Sequence, residues 1–238
     1  MRLHRFYLTP DKELLIGKTV RIEEARLINQ WKNVFRFRAG DEVLLFNGDG
    51  NEYRARFEML AREGAVLVVE SAEKNNTMSK RTVVLNAALI KKNNFELIIE
   101  KATELGVSKI VPIVADRSEK KSLDQARAEK IAIEASEQSG RGDVPTIQAP
   151  TSLTHLLESV GEVHCLAFHP EGISLREAGK TDFVDATDAL GIFIGPEGGW
   201  SERELKLFSG KKIPLVSLGS LTLRAETAAI AVLAKINL

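Results

Sequence analysis

The hydrophobic period of this chain changes once, near residue 80, and few folds accommodate both halves. Before that point, short apolar runs at 19–22, 42–46, 52–57 and 65–69 are bounded by turn residues. Such runs predict a small all-β domain. Asn47-Gly48-Asp49-Gly50 separates two of them and signals a hairpin, because Asn and Gly tolerate the positive φ that tight turns require. Residues 73–81 are polar and aperiodic, as a linker would be, so the expected domains are 1–72 and 82–238. Beyond the linker, 83–89 reads as a buried strand. Phe95, Ile98, Ile99, Ala102 and Leu105 then follow helical spacing up to Gly106 as a C-cap. Strands at 109–114, 163–168, 190–194 and 214–218 alternate with helices at about 123–138, 202–208 and 224–236. This alternation predicts an α/β domain whose mostly parallel sheet is covered on both faces.

Several chemistries fall away. Cys165 is the only cysteine, which excludes a disulfide scaffold and a multi-thiolate zinc site and fits a reducing cytosol. His4, His155, His164 and His169 have no metal-ligand spacing, so no metal is expected. The N-terminus lacks the apolar core of a signal peptide, and no run approaches the ~18 apolar residues of a membrane span, so a cytoplasmic protein is expected. No G-x-G-x-x-G follows the first α/β strand, no phosphate-loop motif occurs, and no serine sits in a nucleophile elbow.

In a parallel α/β sheet, ligands bind outside the carboxyl ends of the strands. Three loops there stand out. Gly195-Pro196-Glu197-Gly198-Gly199 follows an apolar strand and leads to Ser201, a predicted N-cap with Glu204 completing a capping box. Its glycines let backbone approach a ligand closely, although a plain strand-to-helix turn uses the same residues. The segment 217–228 enters a last helix of small apolar residues that should be buried nearly all round. Arg224 and Glu226 stand in its first turn, where charge is costly unless partnered, so they pair with each other and the backbone or face a ligand; the helix dipole also favours Glu226. The third loop is Phe168-His169-Pro170-Glu171-Gly172, in which His169 reads as a loop histidine rather than a base.

Together these segments form a pattern. Glu100-Lys101-Ala102-Thr103-Glu104-Leu105-Gly106-Val107 with Ile110-Val111-Pro112, then Glu134-Ala135-Ser136-Glu137-Gln138-Ser139-Gly140-Arg141, then 194–199, then Leu223-Arg224-Ala225-Glu226-Thr227-Ala228 resemble the bacterial small-subunit ribosomal RNA (uracil-N3) methyltransferases of the SPOUT superfamily. Phe35-Arg36, Gly40-Asp41-Glu42-Val43 and Phe46-Asn47-Gly48 look like that family's PUA-like β-barrel. The resemblance implies an RNA-binding barrel followed by an α/β domain threaded as a trefoil knot, a rare exception to the rule that chains do not knot. It implies S-adenosylmethionine as cofactor, held by Phe168 and His169, by Ile194, Gly195, Pro196, Glu197, Gly198 and Gly199, and by Leu218, Gly219, Leu223, Thr227 and Ala228. It implies a homodimer acting on ribosomal RNA or the small ribosomal subunit. Arg224 would stabilise charge developing on the uracil oxygens, Glu226 would orient it, and Arg5, Arg36 and Arg141 would contact RNA. Leu221 and Asp143 stand where the family usually has basic residues, and a histidine common near Gln30 is missing. A catalytically idle RNA-binding assembly factor of the same fold is the alternative; the intact glycine loop and 223–228 favour the enzyme.

Net charge is zero, yet it is unevenly spread. Residues 1–72 hold 12 basic and 11 acidic side chains, 73–92 hold five and one, and 93–238 hold 16 and 21, giving +1, +4 and −5. A local basic patch of this kind suits a structured RNA rather than any polyanion.

Overall fold

The change of period marks a division in space. In the computed structural model, which describes residues 3–77, 81–159, 164–179 and 189–237, the chain forms two units, Met1–Met78 with Ser136–Asp143, and Ser79–Ala135 with Val144–Leu238.

The first unit is a five-stranded sheet in the order β1-β3-β4-β5-β2, with β1 Arg5–Tyr7, β2 Thr19–Ile22, β3 Glu42–Phe46, β4 Asn51–Leu60 and β5 Ala65–Lys74. Only β1 and β3 pair in parallel. The hairpin predicted between β3 and β4 is present, with Gly48 and Gly50 both at φ +88°. A short helix, α1 (Ala25–Asn29), runs into a π-helical turn, Gln30–Val34. Leu27, Ile28 and Trp31 share its inner face by their spacing and are buried. Trp31 packs edge-to-face against Phe6 (5.5 Å) and Phe57 (5.1 Å), an arrangement that suits the charge distribution of aromatic rings.

The expected linker is partly structured. Glu73 and Lys74 continue β5 opposite Glu52 and Asn51, their polar side chains hiding the strand from a hydrophobic reading. Asn75 is buried, accepting from the Thr77 backbone N–H (2.8 Å) and hydroxyl (2.6 Å) and donating to the Gly140 carbonyl (3.2 Å). Residues 78–80 of that linker lie outside the described residues.

The second unit has a parallel sheet in the order β12-β10-β11-β6-β7-β8, with β9 also paired to β7. Its strands are β6 Thr82–Ala88, β7 Lys109–Val114, β8 Thr146–Ile147, β9 Thr151–Ser152, β10 His164–Ser174, β11 Ala189–Ile194 and β12 Leu215–Ser217. The helices are α2 Lys92–Glu104, α3 Gln125–Ser139, α4 Leu153–Ser159, α5 Leu175–Gly179, α6 Glu202–Gly210 and α7 Ala225–Asn237. Alternate residues serve the two faces. Val83, Leu85, Leu166, Leu190 and Ile192 join the layer of α2, α3 and α7, while Cys165, Ala167 and Phe193 join that of α4 and α6. Both faces are covered, as expected of a parallel sheet.

Two details differ from the sequence reading. The strand expected at 163–168 starts at His164 among the described residues and extends to Ser174, with a register shift against β12 between Phe168 and Ile173 that bulges 169–172 outward. Gly172 permits this, because a Cβ there would lie 2.5 Å from the β12 backbone. Helix α7 is not buried all round: Ala229, Val232 and Leu233 are buried, but Ile230, Ala231 and Ala234 are only half-covered.

Cys165 is seated against Gly191, where a Cβ would come within 2.6 Å of its Sγ, and burial pushes its thiol up to about 11. At pH 8 the native thiolate should be about a hundredfold scarcer than in the unfolded chain. Alkylation by iodoacetamide, followed by mass spectrometry, is expected to be at least that much slower in buffer than in guanidinium.

Candidate functional site

The carboxyl ends of β10, β11 and β12 converge on a cavity of about 280 Å³. Its apolar floor includes Phe168, Ile194, Val216, Ala225 and Ala228. Loop residues complete the lining: Gly195, Pro196, Glu197 and Gly199 from one loop, and Ser217, Leu218, Gly219, Thr222 and Leu223 from the other. His169 and Arg224 also line it. The three loops picked out by glycine and charge therefore meet at one place, as the topology of parallel sheets requires.

Three expected residues lie off the cavity lining. Gly198 faces Arg117, whose Cβ would stand 3.3 Å from an added Cβ and whose Nη1 donates to the Gly198 carbonyl (2.7 Å). Thr227 is exposed, one residue short of the inward-facing Ala228. Glu226 is buried, and its Oε2 has no hydrogen-bond partner among the described residues. No ion pair joins it to Arg224 among those residues, and Arg224, exposed on the cavity lining, has no ion pair among them either.

Trp200 was not anticipated, although it directly follows the glycine loop. Its ring lies against Gly195, where an added Cβ would be 3.1 Å from it, and its indole N–H donates to the Phe168 carbonyl (3.2 Å). One buried side chain thus joins the ends of β10 and β11. The predicted capping box on α6 is present: the Glu204 N–H donates to Ser201 Oγ (3.2 Å) and the Ser201 N–H to Glu204 Oε2 (2.8 Å). Glu204 Oε1 accepts a third bond from the Asp116 N–H (2.9 Å), which explains a fully buried carboxylate. Arg203, and secondarily Ser201, hold the Asp116 carboxyl below its ordinary range.

The arginines expected to meet RNA divide. Arg5 pairs with Glu52 (2.5 Å) and donates to the Arg141 carbonyl (2.9 Å), while Arg141 is buried and bonds both oxygens of Asp143 (2.9 Å each). Both are occupied within the first unit, and the aspartate at 143 is the partner that makes a buried arginine tolerable. Arg36 is different. It is exposed at φ +58°, a strained conformation for a residue with a Cβ, between Phe35 and Phe37, whose rings stack at 5.4 Å. Lys32 and Arg38 are exposed beside it.

Residues 77–237 match the model of an RNA methyltransferase domain, and residues 32–70 that of an RNA methyltransferase PUA domain. The chain belongs to this RNA methyltransferase family. It is 31% identical to a Rickettsia conorii protein named ribosomal RNA small subunit methyltransferase E, over 100% of this chain and 96% of that one. A Synechocystis protein of the same name is 32% identical over 98% of this chain and 77% of its own. The Neisseria gonorrhoeae methyltransferase of that name, solved bound to S-adenosylmethionine, superposes with a TM-score of 0.90 at 27% identity, covering 98% of this chain and 96% of that one. The expected α/β, SPOUT-type trefoil-knotted methyltransferase domain with an N-terminal PUA-like β-barrel is therefore the fold of this chain. Among the described residues no cluster could hold a metal, and no helix is long and apolar enough to cross a membrane.

Two predictions follow from the geometry. Gly195→Val should displace the Trp200 ring and lower Tm by about 3–10 °C, as overpacking by ~1–3 kcal/mol would, whereas Gly198→Val, meeting only the aliphatic stem of Arg117, should shift it by less than about 2 °C. Scanning fluorimetry with tryptophan emission checks both. Asp143→Ala, which strips Arg141 of its bidentate partner, is expected to lower the unfolding free energy by about 1–3 kcal/mol in urea titrations.

Proposed function

We propose that this chain transfers a methyl group from S-adenosylmethionine to N3 of one uridine in small-subunit (16S) ribosomal RNA. The observation that carries the reading is the cavity at the ends of β10, β11 and β12 with the Arg224 guanidinium, without an ion pair among the described residues, on its lining. At about 280 Å³ it lies near the lower end of the ~300–1,000 Å³ usual for small-molecule sites. Its residues fit the cofactor: apolar walls suit an adenine and a methionine chain, and the backbone groups of 195–199 and 217–219 can bond their polar edges. When bound, the cofactor supplies a methyl group on a sulfonium, already a strong electrophile.

The protein's own task is to position the uracil and ease loss of its imide proton. Negative charge then spreads onto the carbonyl oxygens, and Arg224 provides a fixed cation for it. Glu226 is a positioning residue, its carboxylate held in the first turn of α7 where the helix field favours a negative charge. Arg36, held outward by its strained backbone, is the RNA contact the geometry supports in the barrel. The half-covered Ile230, Ala231 and Ala234 support a homodimer formed through α7.

Labelled cofactor, small-subunit RNA or particles, and mass mapping of methylated uridines test this. Arg224→Ala is expected to reduce kcat at least a hundredfold, the usual effect of removing one oxyanion donor, while changing cofactor Kd less than threefold by calorimetry. Equal loss of both would assign Arg224 a structural role. Wild-type protein that binds RNA but neither binds nor uses the cofactor would instead be an idle assembly factor.

A further inference from the structure

A second cavity, of about 240 Å³, opens at the same carboxyl edge of the sheet, where β6 ends and α2 and α3 begin. Resting on the function proposed above, we propose that it is a subsite for a nucleotide flanking the target uridine in the RNA substrate. Leu89, Phe95, Ile99 and Leu123 give it an apolar floor on which a base can lie. Its rim is cationic. Lys92, Lys120 and Arg127 line it against two carboxylates, Glu96 and Asp124. Glu96 is shared between Arg127 (3.1 Å) and Lys92 (3.8 Å), and Asp124 accepts from the Arg127 backbone N–H (3.1 Å). Lys120 has no ion pair among the described residues, and the chain neighbours Lys91 of Lys92 and Lys121 of Lys120 are both exposed. The basic excess of residues 73–92 therefore ends at this cavity. An apolar floor beneath lysines matches the two halves of a nucleotide, base and phosphate.

Its position fits the same substrate. Helices α2 and α7 pack together, and both start at the carboxyl edge, one behind this cavity and the other behind Arg224. Packed helices lie about 8–10 Å apart. That is the span of two or three stacked nucleotides at about 3.4 Å each, so one strand can occupy both places. The loop after β7 joins them, with Arg117 bonded to the glycine loop of the first cavity and Lys120 lining the second.

Full-length protein is titrated with a fluorescent single-stranded RNA fragment of the small subunit containing the mapped uridine, at several salt concentrations, and with S-adenosylmethionine by calorimetry. Lys92→Glu combined with Lys120→Glu is expected to weaken RNA binding at least tenfold and to make the log–log salt slope shallower by about 1.4, at about 0.7 per lost phosphate contact, with cofactor Kd unchanged. Ala128→Leu, which fills the floor, should weaken RNA binding at least threefold with the salt slope unchanged. Wild-type protein that methylates RNA while both variants bind it within twofold of wild type overturns the subsite alone. A wild type without RNA affinity overturns the subsite and the proposed function together.

Discussion

The site depends on one buried side chain. The Trp200 indole spans the ends of two neighbouring parallel strands, lying flush against Gly195 after β11 and bonding the Phe168 carbonyl at the end of the apolar part of β10. The ladder between β10 and β11 ends at Ala167 and Phe193, and beyond it the indole bridges the two strands. With it, the two loops are tied to each other beneath the cavity. The neighbouring polar network works in the same direction: Glu204 caps α6 while receiving the Asp116 N–H, and Arg117 holds the glycine loop from the other side. A methyl transfer that relies on positioning needs such rigidity more than it needs reactive side chains.

Charge is arranged by a similar economy. Arg141 is buried and Arg5 half-buried in the first unit, both paired with carboxylates there, whereas Arg36 and Arg224 are exposed, the former by a left-handed backbone and the latter by its place at the mouth of α7. The difference between the paired and the exposed arginines rests on what surrounds each.

Much of the architecture was legible because it follows from short-range rules. The boundaries of β3 and β7, the Asn47–Gly50 hairpin and the Ser201–Glu204 capping box all arise from local propensity and hydrogen bonding. Readings failed where a distant contact overrode local character. The polar end of β5 is a strand because β4 pairs with it, and residues 169–172 bulge from β10 because β12 passes close to Gly172. Gly198 likewise neighbours Arg117, a residue 81 positions away.

By itself, the sequence determined the change from β to alternating α/β structure, the parallel sheet and the three loops that line the cavity, since periodicity and glycine placement are local properties. Only the tertiary structure decided which residues of those loops face the cavity, that Trp200 holds them together, and that Arg5 and Arg141 are spent on internal pairs. The physical reason is that burial and partnership belong to pairs of residues brought together by folding, and a linear pattern records only one member of each pair.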